Sequence, residues 1–133
     1  MGIIGIGVDV VSISRIAALV QRRTYDRLAK RILSPGELSE WLSIPATDDA
    51  RRTRYLAVRW SVKESAYKAL YPVRSSWKDF TLTSFDRNNG RKPTMIYHSF
   101  GGHSCKYALH ASVSHDAGLV FTTVVVESAS TDI

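Results

Sequence analysis

The pattern of hydrophobic and polar positions divides the chain into a helical first half and a β-rich second half. A β-branched run at 3–11 predicts a buried strand. Amphipathic segments follow and predict helices at 15–23, 25–31 and 35–42. Ser12 or Ser14 can cap the first helix. The third begins with the pattern SPGE at 34–37, which is typical of a capping box with proline in the first helical position.

A longer helix is predicted at 50–71, where it ends before Pro72. Its apolar residues cover two faces. One face carries Tyr55, Val58, Val62, Ala66, Ala69 and Leu70, and the other carries Ala57, Trp60, Tyr67 and Tyr71. Since a helix buries its apolar faces, we expect this one at the centre of the fold.

The second half predicts two antiparallel hairpins. Strands at 80–86 and 92–98 flank an Asn-Asn-Gly turn, and strands at 106–115 and 119–127 flank an Asp-Ala-Gly turn. The fold class is therefore α+β: an N-terminal strand and helices, followed by an antiparallel sheet around a central long helix. The length of 133 residues, without a linker or repeat, predicts one domain spanning 1–133.

Charge and composition narrow the functional classes. The net charge of +6 indicates an anionic partner, such as nucleic acid, anionic lipid, an acidic protein or a phosphorylated small molecule. Six basic residues and one acid lie between Arg15 and Arg31. The single cysteine, Cys105, excludes an internal disulfide and a cysteine-based zinc site. The first strand starts so early that we expect no presequence before it.

Asp9 is the first candidate for chemistry. Alternate residues of a strand share a face, so Gly5, Gly7 and Asp9 point the same way. Glycine adds nothing to a strand interior, and two glycines leave space beside a carboxylate. The pattern predicts a metal or a phosphate-bearing ligand near the backbone. The alternative is an aspartate that only caps a helix or belongs to a turn.

Glu64 is the second candidate, because it shares a helix face with three aromatic residues. A carboxylate on an apolar face is costly unless it is paired or metal-bound. Lys68, four residues on, could pair with it. Alternatively, Asp9 and Glu64 could hold one Mg²⁺, which is typically bound by one or two carboxylates and substrate phosphates. The nearby Arg59 and Lys63 fit such a phosphate-bearing substrate.

The segment SVSHD at 112–116 is the third candidate, at the end of a predicted strand. His115 could contact a phosphate or carry a proton, or be a half-buried histidine beside a turn aspartate. A Ser-His-Asp hydrolase triad is excluded, since consecutive side chains diverge and no nucleophile elbow is present. The sequence also lacks Walker, zinc and dinucleotide-binding motifs.

These segments together resemble one known family. The run GIGVD at 5–9, followed by Arg15 and Ile16, resembles the first motif of the 4′-phosphopantetheinyl transferases of the holo-acyl-carrier-protein synthase type. The run RWSVKESAYKAL at 59–70 is similar to the second motif, W-x-x-K-E-x-x-x-K-A. The runs RILSPGE at 31–37 and SVSHD at 112–116 match the stretch before the third helix and the serine-histidine segment.

The resemblance implies a reaction and its cofactor. Members of the family move the 4′-phosphopantetheine arm of coenzyme A to a serine of an acyl carrier protein and release adenosine 3′,5′-bisphosphate. Magnesium bridges the enzyme and the pyrophosphate, and Asp9 and Glu64 would be its ligands. Val11 stands where larger relatives carry a third acid, so two carboxylates are expected. Glu64 would take the serine proton, with His115 or Asp116 as the alternative.

The resemblance also implies binding residues. It implies that the coenzyme A site contains Arg59, Lys63, Lys68, Ser114 and His115. Lys68 would act on the transferring phosphate, and both Lys68 and His115 would be catalytic residues together with Glu64. On the carrier-protein surface it implies Arg15, Arg22 and Arg23.

Partners and context follow from the same resemblance. It implies fatty acid biosynthesis, assembly as a homotrimer, and no nucleic-acid or membrane partner. Similarity to fungal stand-alone members places the chain in the mitochondrial matrix or the cytoplasm. Two other functions stay open at this stage: a basic nucleic-acid-binding module and an inactive carrier-protein adaptor.

Overall fold

The computed structural model describes residues 2–84, 86, 88–98 and 106–129, so Cys105 lies outside the described residues. The elements, in chain order, are β1 (Ile3–Ser12), α1 (Ile13–Arg23), α2 (Tyr25–Ile32), α3 (Pro35–Ser43), α4 (Asp49–Leu70), a short 3-10 helix (Trp77–Asp79), β2 (Phe80–Thr83), β3 (Thr94–Tyr97), β4 (Tyr107–Asp116) and β5 (Leu119–Ser128). Each predicted segment matches one element, which confirms the α+β class. The strands of the first hairpin are shorter than predicted.

Local hydrogen bonds explain where the helices begin. Of the two candidate serines, Ser12 caps α1, and its Oγ accepts from the amide of Arg15 at 3.2 Å. At α3 the carboxylate of Glu37 accepts from the amide of Ser34 at 2.9 Å, as a capping box requires. Asp48 accepts from the amide of Arg51 at 3.1 Å and caps α4.

The five strands form one sheet in the order β1-β5-β4-β3-β2, and every neighbouring pair is antiparallel. The turn between β4 and β5 places Ala117 and Gly118 in the left-handed region, with φ of 50° and 76°. This is the geometry of a two-residue turn that suits the twist of a hairpin. It aligns β4 and β5 along their whole length.

Helix α4 packs across β1 and β5 on one face of the sheet, and α1, α2 and α3 surround its first half. Leu56, Val62 and Ala66 are fully buried, so the central position predicted for this helix is confirmed. The opposite face of the sheet exposes apolar side chains, with Ile6 at 64%, Val10 at 55% and Phe121 at 47%. The prediction that the first strand is buried is therefore wrong for this face of β1, because α4 packs against the other face of this edge strand. Within the described residues, no helix is long and apolar enough to cross a bilayer.

Candidate active site

The candidate site forms where β1 crosses the second half of α4. Asp9 lies within β1, opposite Thr122 of β5, and its side chain is 16% exposed. From α4, the Lys68 Nζ donates to the carbonyl oxygen of Val8 at 3.0 Å and lies 3.5 Å from Asp9 Oδ1. Asp9 therefore neither caps a helix nor belongs to a turn, and its carboxylate is paired with a half-exposed ammonium.

The two glycines before Asp9 have a different role from the one predicted. A Cβ at Gly7 would overlap the carbonyl oxygen of Ser65, and one at Gly5 would overlap that of Ala69. The space beside these glycines is therefore filled by the backbone of α4. The interpretation that they admit a ligand is wrong, because they allow the strand and the helix to touch and so bring Asp9 to the face of α4.

Glu64 is half-buried on α4 and has a perturbed electrostatic environment. Burial and, secondarily, the negative charge of Asp9 raise its pKa, while Lys68 and Arg15 act in the opposite direction. Among the described residues, Lys68 forms its ion pair with Asp9 and not with Glu64. The predicted i, i+4 pair is thus absent, and two neighbouring carboxylates share one lysine.

Lys63, the residue before Glu64, points into the core. It is 1% exposed, and its Nζ donates to Ile32 O at 2.6 Å, Glu37 Oε1 at 2.6 Å and Trp77 O at 3.0 Å. An ammonium has three N–H groups, so none is left for a phosphate. These bonds to protein acceptors give the side chain a structural role, and the place of Lys63 in the coenzyme A site stays a prediction.

Arg59 lies on another side of α4, away from Glu64. It is 4% exposed, and its Nη2 donates to Ser84 Oγ at 2.7 Å and to Leu82 O at 3.3 Å. Its guanidinium forms part of a groove of about 700 Å³, whose other charged or ionisable residues include Glu40, Arg51, Arg54 and His115.

His115 and Ser114 lie away from Asp9. The strand register of the sheet pairs Val120 with Val11 of β1 on one side and with His115 of β4 on the other. His115 is therefore two strands across the sheet from Val11, which lies two residues after Asp9 in β1. Strand spacing of ~4.8 Å and a rise of ~3.3 Å per residue put their Cα atoms about 12 Å apart. Ser114 pairs with Phe121 and belongs to the exposed apolar face. One chain therefore does not bring all the predicted coenzyme A residues together.

The predicted carrier-binding residues lie along one surface. Arg15 and Arg22 are seven residues apart on α1, which puts them on the same helix face about 10 Å apart. The guanidinium of Arg15 lies 5.8 Å from the ring of Trp60, close to Glu64. The far end of this surface is a groove of about 500 Å³ lined by Arg22, Arg23, Arg27, Leu28 and Arg31.

Sequence reasoning missed a cavity beside Glu64. It encloses about 330 Å³ between α4 and the segment 75–80, and Tyr67, Ser75 and Trp77 are among its lining residues. The Oγ of Ser75 is buried there without a hydrogen-bond partner in the described part of the chain. No motif marks this segment. The aromatic positions of α4 were the available signal, since Tyr67 shares a face with Glu64.

Comparisons with known proteins agree with this geometry. A profile of the 4′-phosphopantetheinyl transferase superfamily matches residues 5–124. A holo-(acyl-carrier-protein) synthase of Edwardsiella ictaluri is 36% identical over 96% of this chain and 99% of its own length.

Solved structures agree as well. The Helicobacter pylori synthase in complex with coenzyme A is 29% identical, covers 92% of this chain and 99% of its own, and has a TM-score of 0.68. A Bacillus anthracis synthase in complex with CoA (3′,5′-ADP) is 25% identical over 96% of this chain and 98% of its own, with a TM-score of 0.71.

These matches confirm the family that the sequence motifs resemble, and they give no support to a nucleic-acid-binding module or an inactive adaptor. The profile covers most of the chain, and the Edwardsiella relative matches over nearly its full length. The chain belongs to the 4′-phosphopantetheinyl transferase superfamily and, within it, to the holo-(acyl-carrier-protein) synthases.

Proposed function

We propose that this protein transfers the 4′-phosphopantetheine arm of coenzyme A to a serine of an apo acyl carrier protein and releases adenosine 3′,5′-bisphosphate. The observation that carries the proposal is the grouping of Asp9, Glu64 and Lys68 where β1 crosses α4. Two carboxylates and a half-exposed ammonium, with Glu64 also lining a cavity, suit a metal-bound pyrophosphate. Family membership supports the same reaction.

Magnesium fits these residues. Asp9 and Glu64 offer carboxylate oxygens, the ligands that Mg²⁺ prefers. Burial and, secondarily, the negative charge of Asp9 raise the pKa of Glu64, and a bound divalent cation would offset both effects. Among the described residues, no three His, Cys, Asp or Glu side chains form a metal site, so two carboxylates with waters is the arrangement proposed. When bound, the ion would neutralise pyrophosphate charge.

The chain's own residues account for the remaining chemistry. The serine oxygen attacks the phosphorus that carries pantetheine, and the bond from that phosphorus to the bridging oxygen breaks. Adenosine 3′,5′-bisphosphate leaves with that oxygen. Lys68 keeps one N–H free of Val8 and Asp9 and stabilises the charge on the phosphate oxygens. Glu64 takes the serine proton, because its carboxylate lies close to Asp9, Lys68 and Arg15, where the serine and the pyrophosphate would meet.

Mass spectrometry of an apo carrier protein, incubated with this protein, coenzyme A and magnesium, tests the transfer. We expect a mass gain of one phosphopantetheine arm on the serine, and none with Glu64→Gln or without magnesium. Lys68→Ala should slow the modification. Its matched control is Lys92→Ala, since Lys92 is an exposed lysine outside the site. An unmodified carrier with the wild-type protein would refute the proposed function.

The arginine surface on α1 and α2 supports an acidic carrier protein as the second substrate. Arg22, Arg23, Arg27 and Arg31 face solvent around the buried Leu28, so the groove can meet acidic side chains. Arg15 is on the same surface, beside Glu64. A carrier bound along these arginines would therefore place its serine near the proposed base.

The exposed apolar face of the sheet supports assembly into the homotrimer that the family resemblance implies. Ile6, Val8 and Val10 of β1 and Phe121 of β5 form one continuous exposed patch. Such a patch is typical of an interface between chains. Since His115 is about 12 Å from Asp9 within one chain, we propose that a neighbouring copy supplies the His115 groove to the coenzyme A bound at Asp9 and Glu64.

Sedimentation tests the assembly. The wild-type chain should sediment as a trimer, and Phe121→Glu should give monomers, because a charge in an apolar interface is costly. Lys92→Glu, which reverses an exposed charge in the 88–92 turn region, should leave the trimer intact. A monomeric wild type would contradict the proposal. Two statements stay predictions: that the modified carrier protein serves fatty acid biosynthesis, and that this protein acts in the mitochondrial matrix or the cytoplasm.

A further inference from the structure

The two lysines of the second motif have opposite surroundings. Lys68 is half-exposed beside Asp9, whereas Lys63 is buried with three hydrogen bonds to protein atoms. We propose that Lys63, together with Glu37, is a positioning pair that holds the wall of the cavity beside Glu64 and so sets the affinity for coenzyme A. This inference rests on the proposed function, because it assigns that cavity to coenzyme A.

The pair joins five parts of the fold. Lys63 of α4 donates to the carbonyl oxygen of Ile32 at the end of α2 and to that of Trp77 at the start of the 3-10 helix. Glu37 of α3 accepts from Lys63 and, through Oε2, from the amide of Leu82 in β2 at 3.0 Å. Both residues are 1% exposed, so neither side chain can turn to solvent without opening the core.

The bond to Trp77 connects this pair to the cavity. Trp77, Ser75 and Ser76 form the wall of the cavity that faces α4, and on the α4 side the lining includes Lys63 and Glu64. The Trp77 ring packs against Trp60 with centroids 4.9 Å apart. The Lys63 ammonium thus makes a polar contact from α4 to the backbone of this wall, one residue before the proposed metal ligand.

A purely structural role would lower stability without changing ligand affinity in the folded protein. A positioning role predicts more, because displacement of the Trp77 backbone changes the cavity in which coenzyme A binds. A role on the transferring phosphate predicts a third outcome, a loss of turnover with binding unchanged. The three roles therefore differ in the dissociation constant and kcat of one variant.

The test variant is Glu37→Gln with Lys63→Met. Removing only the lysine takes from the buried Glu37 its nearest cation and leaves it Arg59 Nε at 3.7 Å, which is destabilising. Replacing both members of the Lys63–Glu37 pair is better tolerated, because Arg59 keeps Glu40 at 3.6 Å. With glutamine at position 37 the side-chain oxygen still accepts from the amide of Ser34, so the capping of α3 is kept, while Trp77 O loses its donor and the amide of Leu82 loses its acceptor. The matched control is Asp26→Asn with Arg52→Met, which removes an ion pair that lies away from the cavity.

Titration calorimetry with coenzyme A gives the first readout. We expect the Kd of the folded Glu37→Gln/Lys63→Met variant to rise about tenfold or more, with kcat within about threefold of wild type. The control pair should leave the Kd unchanged, and its melting temperature should fall less, because Asp26 is 85% exposed. An unchanged Kd, an equal rise in the control, or a loss confined to kcat would each overturn the proposal.

Coupling to Trp77 gives the second readout. Trp77→Ala should weaken coenzyme A binding in the wild-type background and add little in the variant without the pair, because both changes disturb the same wall. Fully additive effects would also overturn the proposal. The carrier assay on the wild-type protein is run in parallel. Failure of transfer there would refute the proposed function, whereas the Kd measurements judge the positioning pair by themselves.

Discussion

The contact between Gly7 and α4 gives the sharpest prediction, because a single methyl group tests it. A Cβ at Gly7 would overlap the carbonyl oxygen of Ser65 and lie 2.9 Å from the amide nitrogen of Ala69. Both neighbours are backbone atoms of a buried helix, and neither can rotate away. Gly7→Ala must therefore move β1 away from α4 or distort one of them.

The expected cost follows from the packing. Overpacking a well-packed core typically costs about 1–3 kcal/mol, and contact with helix backbone puts Gly7 at the upper end. For 133 residues the unfolding entropy is about 0.3 kcal/mol per degree, so a cost of about 3 kcal/mol corresponds to a loss of about 10 °C in melting temperature. Because Asp9 is two residues along, the same shift would move its carboxylate relative to Glu64.

Calorimetric melting and the carrier-modification rate should be measured on the same preparation of Gly7→Ala. Gly2→Ala is the matched control, since no atom lies within 4 Å of a Cβ there and its melting temperature should not fall. We also expect Gly7→Ala to raise the magnesium concentration needed for half-maximal turnover. A melting temperature equal to that of Gly2→Ala would refute the argument that the glycines serve strand–helix contact.

Three further variants test the electrostatics of the site. Glu64→Gln should abolish turnover and raise the melting temperature at neutral pH. Burial and Asp9 raise the pKa of Glu64 in the folded protein, so its ionised form lowers stability there. This destabilisation is absent below the ordinary glutamate pKa of 4.5 and grows as the pH rises through the pKa of the folded protein. A stability difference that is the same at all pH values would contradict this. Lys68→Ala should cut turnover by roughly 100-fold or more, as loss of an oxyanion donor does, with a melting shift of only a few degrees because the pair is half-exposed. The reverse pattern, measured by kinetics and calorimetry, would make Lys68 structural. Replacing Arg22 and Arg23 by glutamate should raise the KM for the carrier protein and make that KM less dependent on salt concentration, while coenzyme A binding stays unchanged. Equally weakened binding of the carrier protein and of coenzyme A would count against the proposed carrier surface.

Much of the fold follows from periodicity in the sequence. The capping pattern at Ser34 and Glu37, the two apolar faces of α4 and the glycine turn before β5 each depend on neighbours in the chain, and each prediction is confirmed. Asp9 and Glu64 were also predictable as candidates, because a carboxylate in an apolar setting is visible without coordinates. Local rules suffice wherever the physical cause is local.

The remaining features depend on what lies across the fold. The glycine pattern at Gly5 and Gly7 indicates missing side chains but not what fills the space, and α4 fills it. The i, i+4 rule pairs Lys68 with Glu64, yet Asp9, 59 positions away in sequence, takes the lysine. The position of His115 relative to Asp9 required the strand register. Such outcomes depend on tertiary neighbours, which periodicity does not encode.

One helix separates the structural and the reactive lysines by geometry alone. Lys63 and Lys68 are five residues apart, which turns the second by about 140° around α4. A lysine that faces the core at one position must therefore place the other near the surface, where β1 brings Asp9. Both lie on elements packed in the centre of the fold, so the spacing of the charged groups is set by the core and not by loops. A conservative substitution of Lys63 is therefore expected to change the width of the cavity, whereas one of Lys68 is expected to change the charge at the phosphate.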